Sequence, residues 1–97
     1  MRVTLKKIKI RKKSITALLM PLQKKNLIVL CGKRGYVMCG YLNLKVAEKF
    51  DDVAIKIVGV STLNDALYAS AHSCTSAAGK LGIKKGQPIA DILEKIA

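Results

Sequence analysis

Tryptophan is absent, and the aromatic set is limited to Tyr36, Tyr41, Phe50 and Tyr68. Stacking platforms for single-stranded bases need aromatic faces, so that class of surface is disfavoured. Acidic residues are also scarce, with six Asp and Glu against 18 Lys and Arg. Asp51 and Asp52 are adjacent and read as a turn, so they are poorly placed to face each other for acid–base work. His72 is the only histidine. The three cysteines, Cys31, Cys39 and Cys74, are odd in number and show no Cys-x-x-Cys spacing. This is neither a disulfide framework nor a zinc signature, and it suits a reducing cytosol. Long apolar runs are missing, and none reaches the ~18 residues of a membrane span. The basic start followed by Ile15–Leu22 has the outline of a signal peptide. Pro21 interrupts that run, however, and Gln23-Lys24-Lys25 stand where small cleavage-site residues belong. A cytoplasmic location is expected. No serine triad, P-loop or dinucleotide fingerprint occurs, and the residues specify no cofactor and no metal site.

What is present is basic charge and apolar surface. The 97 residues suit one domain, and 51% are hydrophobic, which is high for so small a core. Surplus apolar area in small domains often ends in a subunit interface, so a homo-oligomer is expected. The net charge of +12 is uneven: all eleven charged residues in 1–34 are Lys or Arg, and 35–97 is nearly balanced. An anionic partner such as nucleic acid would meet the N-terminal third. The alternative is a solvated edge strand in which lysines discourage unwanted pairing.

Residues 1–13 alternate, with Val3 and Leu5 on one face and Ile8 and Ile10 on the other. The phase slips at Lys6-Lys7, which suggests a bulge or two short strands. Ser14–Leu22 and Leu27–Cys31 read as strands. Gly32-Lys33-Arg34-Gly35 is a hairpin turn with glycines available for positive φ, and Tyr36–Leu42 returns as its partner. In that register Cys31 faces Tyr36 and Cys39 faces Ile28, so the two thiols point to opposite faces. Asn43 is an N-cap, with Leu44, Ala47 and Phe50 on one helical face. Val53–Val60 reads as a central strand. Thr62 with Asp65 resembles a capping box before Leu63, Ala66 and Leu67. Ser70–Ser76 contains a break, and Cys74–Leu81 reads as a helix closed by Gly82 and Ile83. Pro88 opens a last helix in which Ile89, Ile92, Leu93 and Ile96 repeat at helical spacing. The expected class is α+β: a two-layer, mainly antiparallel sheet of four to five strands, with room for one mixed pair. About three helices pack on one face.

The string Gly35-Tyr36-Val37-Met38-Cys39-Gly40-Tyr41-Leu42-Asn43 resembles the GYIMCG-x-L-D/N signature of the YunC-like family, a small domain found in bacteria and archaea. Val58-Gly59-Val60 before Thr62-Leu63, and Leu81-Gly82-Ile83 with Gly86, agree with it. So does Pro21-Leu22 ahead of an apolar strand, although Gln23 stands in place of a second proline and Val37 replaces Ile. The resemblance spans roughly residues 14–96. It implies a compact two-layer α/β domain and no established activity, cofactor or substrate. The motif positions Gly35, Cys39, Gly40 and Asn43 are the first places to look for a site.

Three readings follow. The first is a non-catalytic binding or assembly module whose basic face meets an anion through Lys6, Lys7, Lys9, Arg11, Lys12, Lys13, Lys33 and Arg34. Lys33 and Arg34 lie in a G-x-x-G loop, but one between strands, not between the helices that an RNA-binding KH loop needs. The second is a small enzyme or ligand site at Cys39, with His72 as base, Gly40 admitting a ligand and Asn43 starting the nearby helix. The bland alternative for Cys39 is a small buried strand residue. The third is a structural subunit of a hetero-complex.

Overall fold

A computed structural model describes residues 2–97. Among these, six strands form one mixed sheet in the order β1-β2-β3-β4-β5-β6. They are β1 Thr4–Ile10, β2 Lys13–Pro21, β3 Asn26–Cys31, β4 Tyr36–Met38, β5 Ala54–Lys56 and β6 Ser73–Cys74. Four helices complete the fold: α1 Leu44–Lys49, α2 Leu63–Tyr68, α3 Ser76–Lys80 and α4 Ile89–Ile96. The class is α+β, as the order of strands and helices indicates. All strand pairs are antiparallel except β4 with β5, which is the mixed pair.

The main core lies on one face of the sheet. Alternation along each strand sends Ile15, Ala17, Ile28, Leu30, Val37 and Ile55 to that face. Helix α4 covers it with Ile89, Ile92, Leu93 and Ile96, all buried, as their spacing requires. Ala66 of α2 and Ala78 of α3 fill the remainder of this core. Two caps match the sequence closely. Thr62 and Asp65 exchange bonds in a complete capping box. The Ser61 amide, and then the backbone and side chain of Thr62, hold the Asp65 carboxyl below its usual range. At the end of α3, Gly82 (φ +85°) donates to the Gly79 carbonyl and Ile83 donates to that of Ala78, a Schellman closure with Ile83 buried behind it.

Several elements differ from the sequence reading. There is no bulge in β1; its pairing with β2 runs unbroken from Thr4↔Leu19 to Ile10↔Lys13. The phase slip is instead accommodated by placing apolar side chains on both faces. Ile8 and Ile10 reach the core, whereas Leu5 stays 68% exposed. β4 and β5 are shorter than expected. Gly59 (φ +71°) turns the chain after β5, and Val58 is exposed. The break in Ser70–Ser76 contains β6, so Cys74 belongs to a strand and α3 starts at Ser76 behind the Thr75 cap. Pro88 is the N-cap of α4, one position outside the helix. Phe50 does not face inward; it caps α1 and is 73% exposed. Finally, the helices do not share one face. α1 packs on the opposite face, where Met38, Ala47 and Ala54 form a second small core.

Candidate anion site and the Cys39 pocket

The order of β1 to β4 puts two hairpin turns at the same end of the sheet. The first is the two-residue link Arg11-Lys12, in which Arg11 takes a left-handed φ of 57°. The second is Gly32-Lys33-Arg34-Gly35, closed by a 2.8 Å bond from the Gly32 amide to the Gly35 carbonyl. Its glycines are there for close approach, not for positive φ. A Cβ on Gly32 would sit 2.0 Å from the Ile96 carbonyl oxygen, and one on Gly35 would sit 2.6 Å from the Val53 oxygen. The Arg34 amide donates to the Ile96 carbonyl at 2.8 Å, which ties this turn to the end of α4.

A concavity of about 310 Å³ opens between the turns, lined by Lys12, Lys13, Ser14, Lys33, Arg34 and Ala97. Among the described residues the one ion pair joins Arg11 Nε to Glu94 Oε2 at 3.7 Å. The lysines and Arg34 at the concavity therefore have no carboxylate within salt-bridge distance. Of the eight basic residues singled out in the sequence, four come together here. Arg11 is committed to Glu94. Lys6, Lys7 and Lys9 are exposed along β1, and strand alternation places Lys6 on one face and Lys7 and Lys9 on the other. Linear charge density showed the excess of cations, but only the convergence of the turns shows which of them cooperate.

A second pocket, of about 270 Å³, sits at the carboxyl ends of the parallel pair and is lined by Lys25, Asn26, Cys39, Gly40, Tyr41 and Val60. Cys39 contributes little exposed sulfur, being only 4% exposed. Its amide donates to the Ile28 carbonyl at 3.2 Å, and its Sγ accepts from the Ile28 amide at 3.4 Å. The register expected from the sequence therefore holds, with Cys39 opposite Ile28 and Cys31 paired with Tyr36. Cys31, Cys39 and Cys74 are all free thiols. His72 is exposed beside β6, its Nδ1 3.3 Å from Ser73 Oγ, and it is not among the residues lining the Cys39 pocket. Asn43 is occupied as a cap, its Oδ1 accepting from the Lys45 amide at 2.9 Å. Gly40 borders open space, with no atom within 4 Å of a built Cβ. No group of three or more His, Cys, Asp or Glu close enough to hold a metal occurs among the described residues. Nor is any helix among the described residues long and apolar enough to cross a membrane.

One polar pair lies outside both pockets and was missed in the sequence. The Tyr36 hydroxyl donates to Asp52 Oδ2 at 2.8 Å. Burial, then that hydrogen bond and the carboxylate charge, push the Tyr36 pKa from 10.0 up to about 12. The folded state thus favours the protonated phenol. Its contribution is complete below pH 10 and is lost as pH rises through about 12. Thermal denaturation at pH 10 to 12 should show a steeper fall in Tm for the unsubstituted protein than for Tyr36→Phe. Equal slopes would mean that the pair does not set this dependence.

The fold is shared with known relatives. Residues 38–96 match the family model described as a domain of unknown function, DUF1805. The chain is 37% identical to the uncharacterized protein YunC of Bacillus subtilis, over 97% of each sequence. It also superposes on the crystal structure of TA1206, a protein of unknown function from Thermoplasma acidophilum. The TM-score is 0.95 at 31% identity, covering 99% of this chain and 94% of the other. A signature at Gly35–Asn43, a family match over more than half the chain and a relative that is collinear almost end to end all agree: the chain belongs to the DUF1805 family of YunC-like domains.

Proposed function

We propose that this protein is a non-catalytic binding module of the cytoplasm whose basic sheet end docks on the phosphates of a nucleic acid. The observation that carries this reading is the gathering of Lys12, Lys13, Lys33 and Arg34 around one concavity without a carboxylate partner. Holding like charges together costs free energy through self-repulsion, and a bound polyanion relieves it. The Arg34 guanidinium offers a planar fork to phosphate oxygens, while the lysines act as point charges. The scarcity of aromatics favours a duplex backbone over stacked single-stranded bases. Three free cysteines support a reducing compartment.

Fluorescence anisotropy with a labelled duplex tests the reading. Neutralising four phosphates should weaken binding by about a hundredfold between ~50 and ~200 mM salt, through counterion release. Absent binding, or binding indifferent to salt, would overturn it.

A further inference from the structure

The chain leaves the parallel strands β4 and β5 towards opposite faces of the sheet. After β4 it turns through residues 39–42, closed by a 3.2 Å bond from the Leu42 amide to the Cys39 carbonyl, and enters α1 on the face of the smaller core. After β5 it turns at Gly59 (φ +71°) and enters α2, whose Ala66 lies in the main core on the other face. Neighbouring parallel strands whose continuations part in this way leave a crevice outside their carboxyl ends. The ladder records the parting. The Tyr36 amide donates to the Val53 carbonyl at 3.0 Å and the Ile57 amide to that of Met38 at 2.8 Å. The rung that would follow, from the Gly40 amide to the Ile57 carbonyl, is not formed among the described residues. The Gly40 amide is thus left without a protein acceptor where the strands separate. The pocket of about 270 Å³ occupies this crevice, with Gly40 and Tyr41 on the β4 side and Val60 on the β5 side. Ile57 is buried and does not line it.

The remaining wall comes from the β2–β3 turn. The Leu22 amide donates to the Lys25 carbonyl at 3.0 Å and closes that turn, and Asn26 Nδ2 donates to the Ser61 carbonyl at 2.7 Å, which ties it to the loop after β5. Lys25 is the one charged residue lining the pocket, and among the described residues no carboxylate lies within salt-bridge distance of it. Asp65, at the start of α2, is engaged by the Ser61 and Thr62 amides. We propose that this crevice binds a small organic carboxylate. The Lys25 ammonium and the Gly40 amide donate to its oxygens, and charge assistance strengthens both bonds. The apolar body of the ligand lies against Val60 and the ring of Tyr41. One cation balances one negative charge, which suits a carboxylate better than a phosphate ester carrying roughly −1.5 to −2. The volume falls just below the ~300–1,000 Å³ of drug-sized sites, so the body is short. No atom lies within 4 Å of a Cβ built on Gly40, so the backbone there is open to approach. The crevice and the basic concavity lie at opposite ends of the sheet, so this inference stands or falls independently of nucleic-acid binding.

Amide NMR spectra of the isotope-labelled chain, titrated with hexanoate, provide the test. Hexanoate should shift the Gly40 and Tyr41 amide signals with a Kd of about 1 mM. Hexanamide has the same shape without the charge and should bind about tenfold more weakly. Lys25→Gln should weaken hexanoate binding by about tenfold. Lys24→Gln removes the same charge from the same turn but outside the pocket, and should leave binding unchanged. Both lysines are exposed, so both variants keep the fold. The proposal is overturned if neither amide responds up to about 20 mM, well above the expected Kd. It is also overturned if hexanamide binds as well as hexanoate, or if the two variants bind hexanoate equally. A response confined to the Lys33 and Arg34 amides overturns it as well, since that marks only a general attraction of anions to basic surface.

Discussion

Replacing Gly32 by alanine is expected to destabilise the fold by about 3 kcal/mol or more, the upper part of the range for overpacked sites. The added Cβ would lie 2.0 Å from the Ile96 oxygen, 2.6 Å from its carbonyl carbon and 2.9 Å from the Ala97 Cα. All three are backbone atoms, so no rotamer change relieves the overlap. Either the turn or the end of α4 must retreat. Retreat of the turn would break the Gly32–Gly35 and Arg34–Ile96 bonds. Retreat of the helix would uncover Ile92, Leu93 and Ile96, which close the main core. Such a loss is a large share of the ~5–15 kcal/mol that holds a domain together. The same substitution at Gly40 meets no atom within 4 Å and should change stability by no more than about 0.5 kcal/mol. Urea denaturation of the two variants separates the cases. A Gly32→Ala cost below about 1 kcal/mol would mean that the α4 terminus is not seated against the turn.

The second large effect is on binding. Lys33→Glu combined with Arg34→Glu should lower duplex affinity by about a hundredfold, since two charge-assisted contacts are lost at roughly 1.5 kcal/mol each. The slope of log affinity against log salt should fall by about two, one for each phosphate contact removed. The control is Lys24→Glu combined with Lys25→Glu. It changes net charge by the same amount but lies at the β2–β3 turn, at the other end of the sheet. If both double variants lose affinity equally, attraction is a property of net charge and not of the concavity. If only the Lys33/Arg34 pair matters, the site is local. The backbone bond from the Arg34 amide to Ile96 is unaffected by the side-chain change, so the turn should keep its shape.

Local chemistry was legible without coordinates wherever it acts over a few residues. The i, i+3, i+4, i+7 repeat of Ile89, Ile92, Leu93 and Ile96 specifies α4 and its buried side. The Asn43 and Thr62 caps and the Gly82 closure follow from side-chain oxygens and from a residue that tolerates positive φ. The Gly35–Asn43 signature identified the family. The α+β class followed from the order of the elements, which left room for the parallel β4–β5 pair but did not require it.

Long-range geometry was not legible. β6 spans two residues and exists because β5 offers it backbone partners, which no local pattern announces. Phe50 has the spacing of an inward residue, but α1 ends there and the helix rests on the sheet through Ala47. Gly32 and Gly35 look like turn glycines, yet what they provide is room for Ile96 and Val53, distant in sequence. The same holds for the candidate site. Composition alone determined that cations outnumber acids in the first third of the chain. Which of them act together was decided by strand alternation, which divides Lys6 from Lys7 and Lys9, and by strand order. That order lays one hairpin beside the next and so brings Lys12 and Lys13 to Lys33 and Arg34 across some twenty residues of sequence. Short-range preferences belong to each segment and survive reading in isolation. Convergence belongs to the sheet, because only packing sets the distance between residues that the chain itself keeps apart.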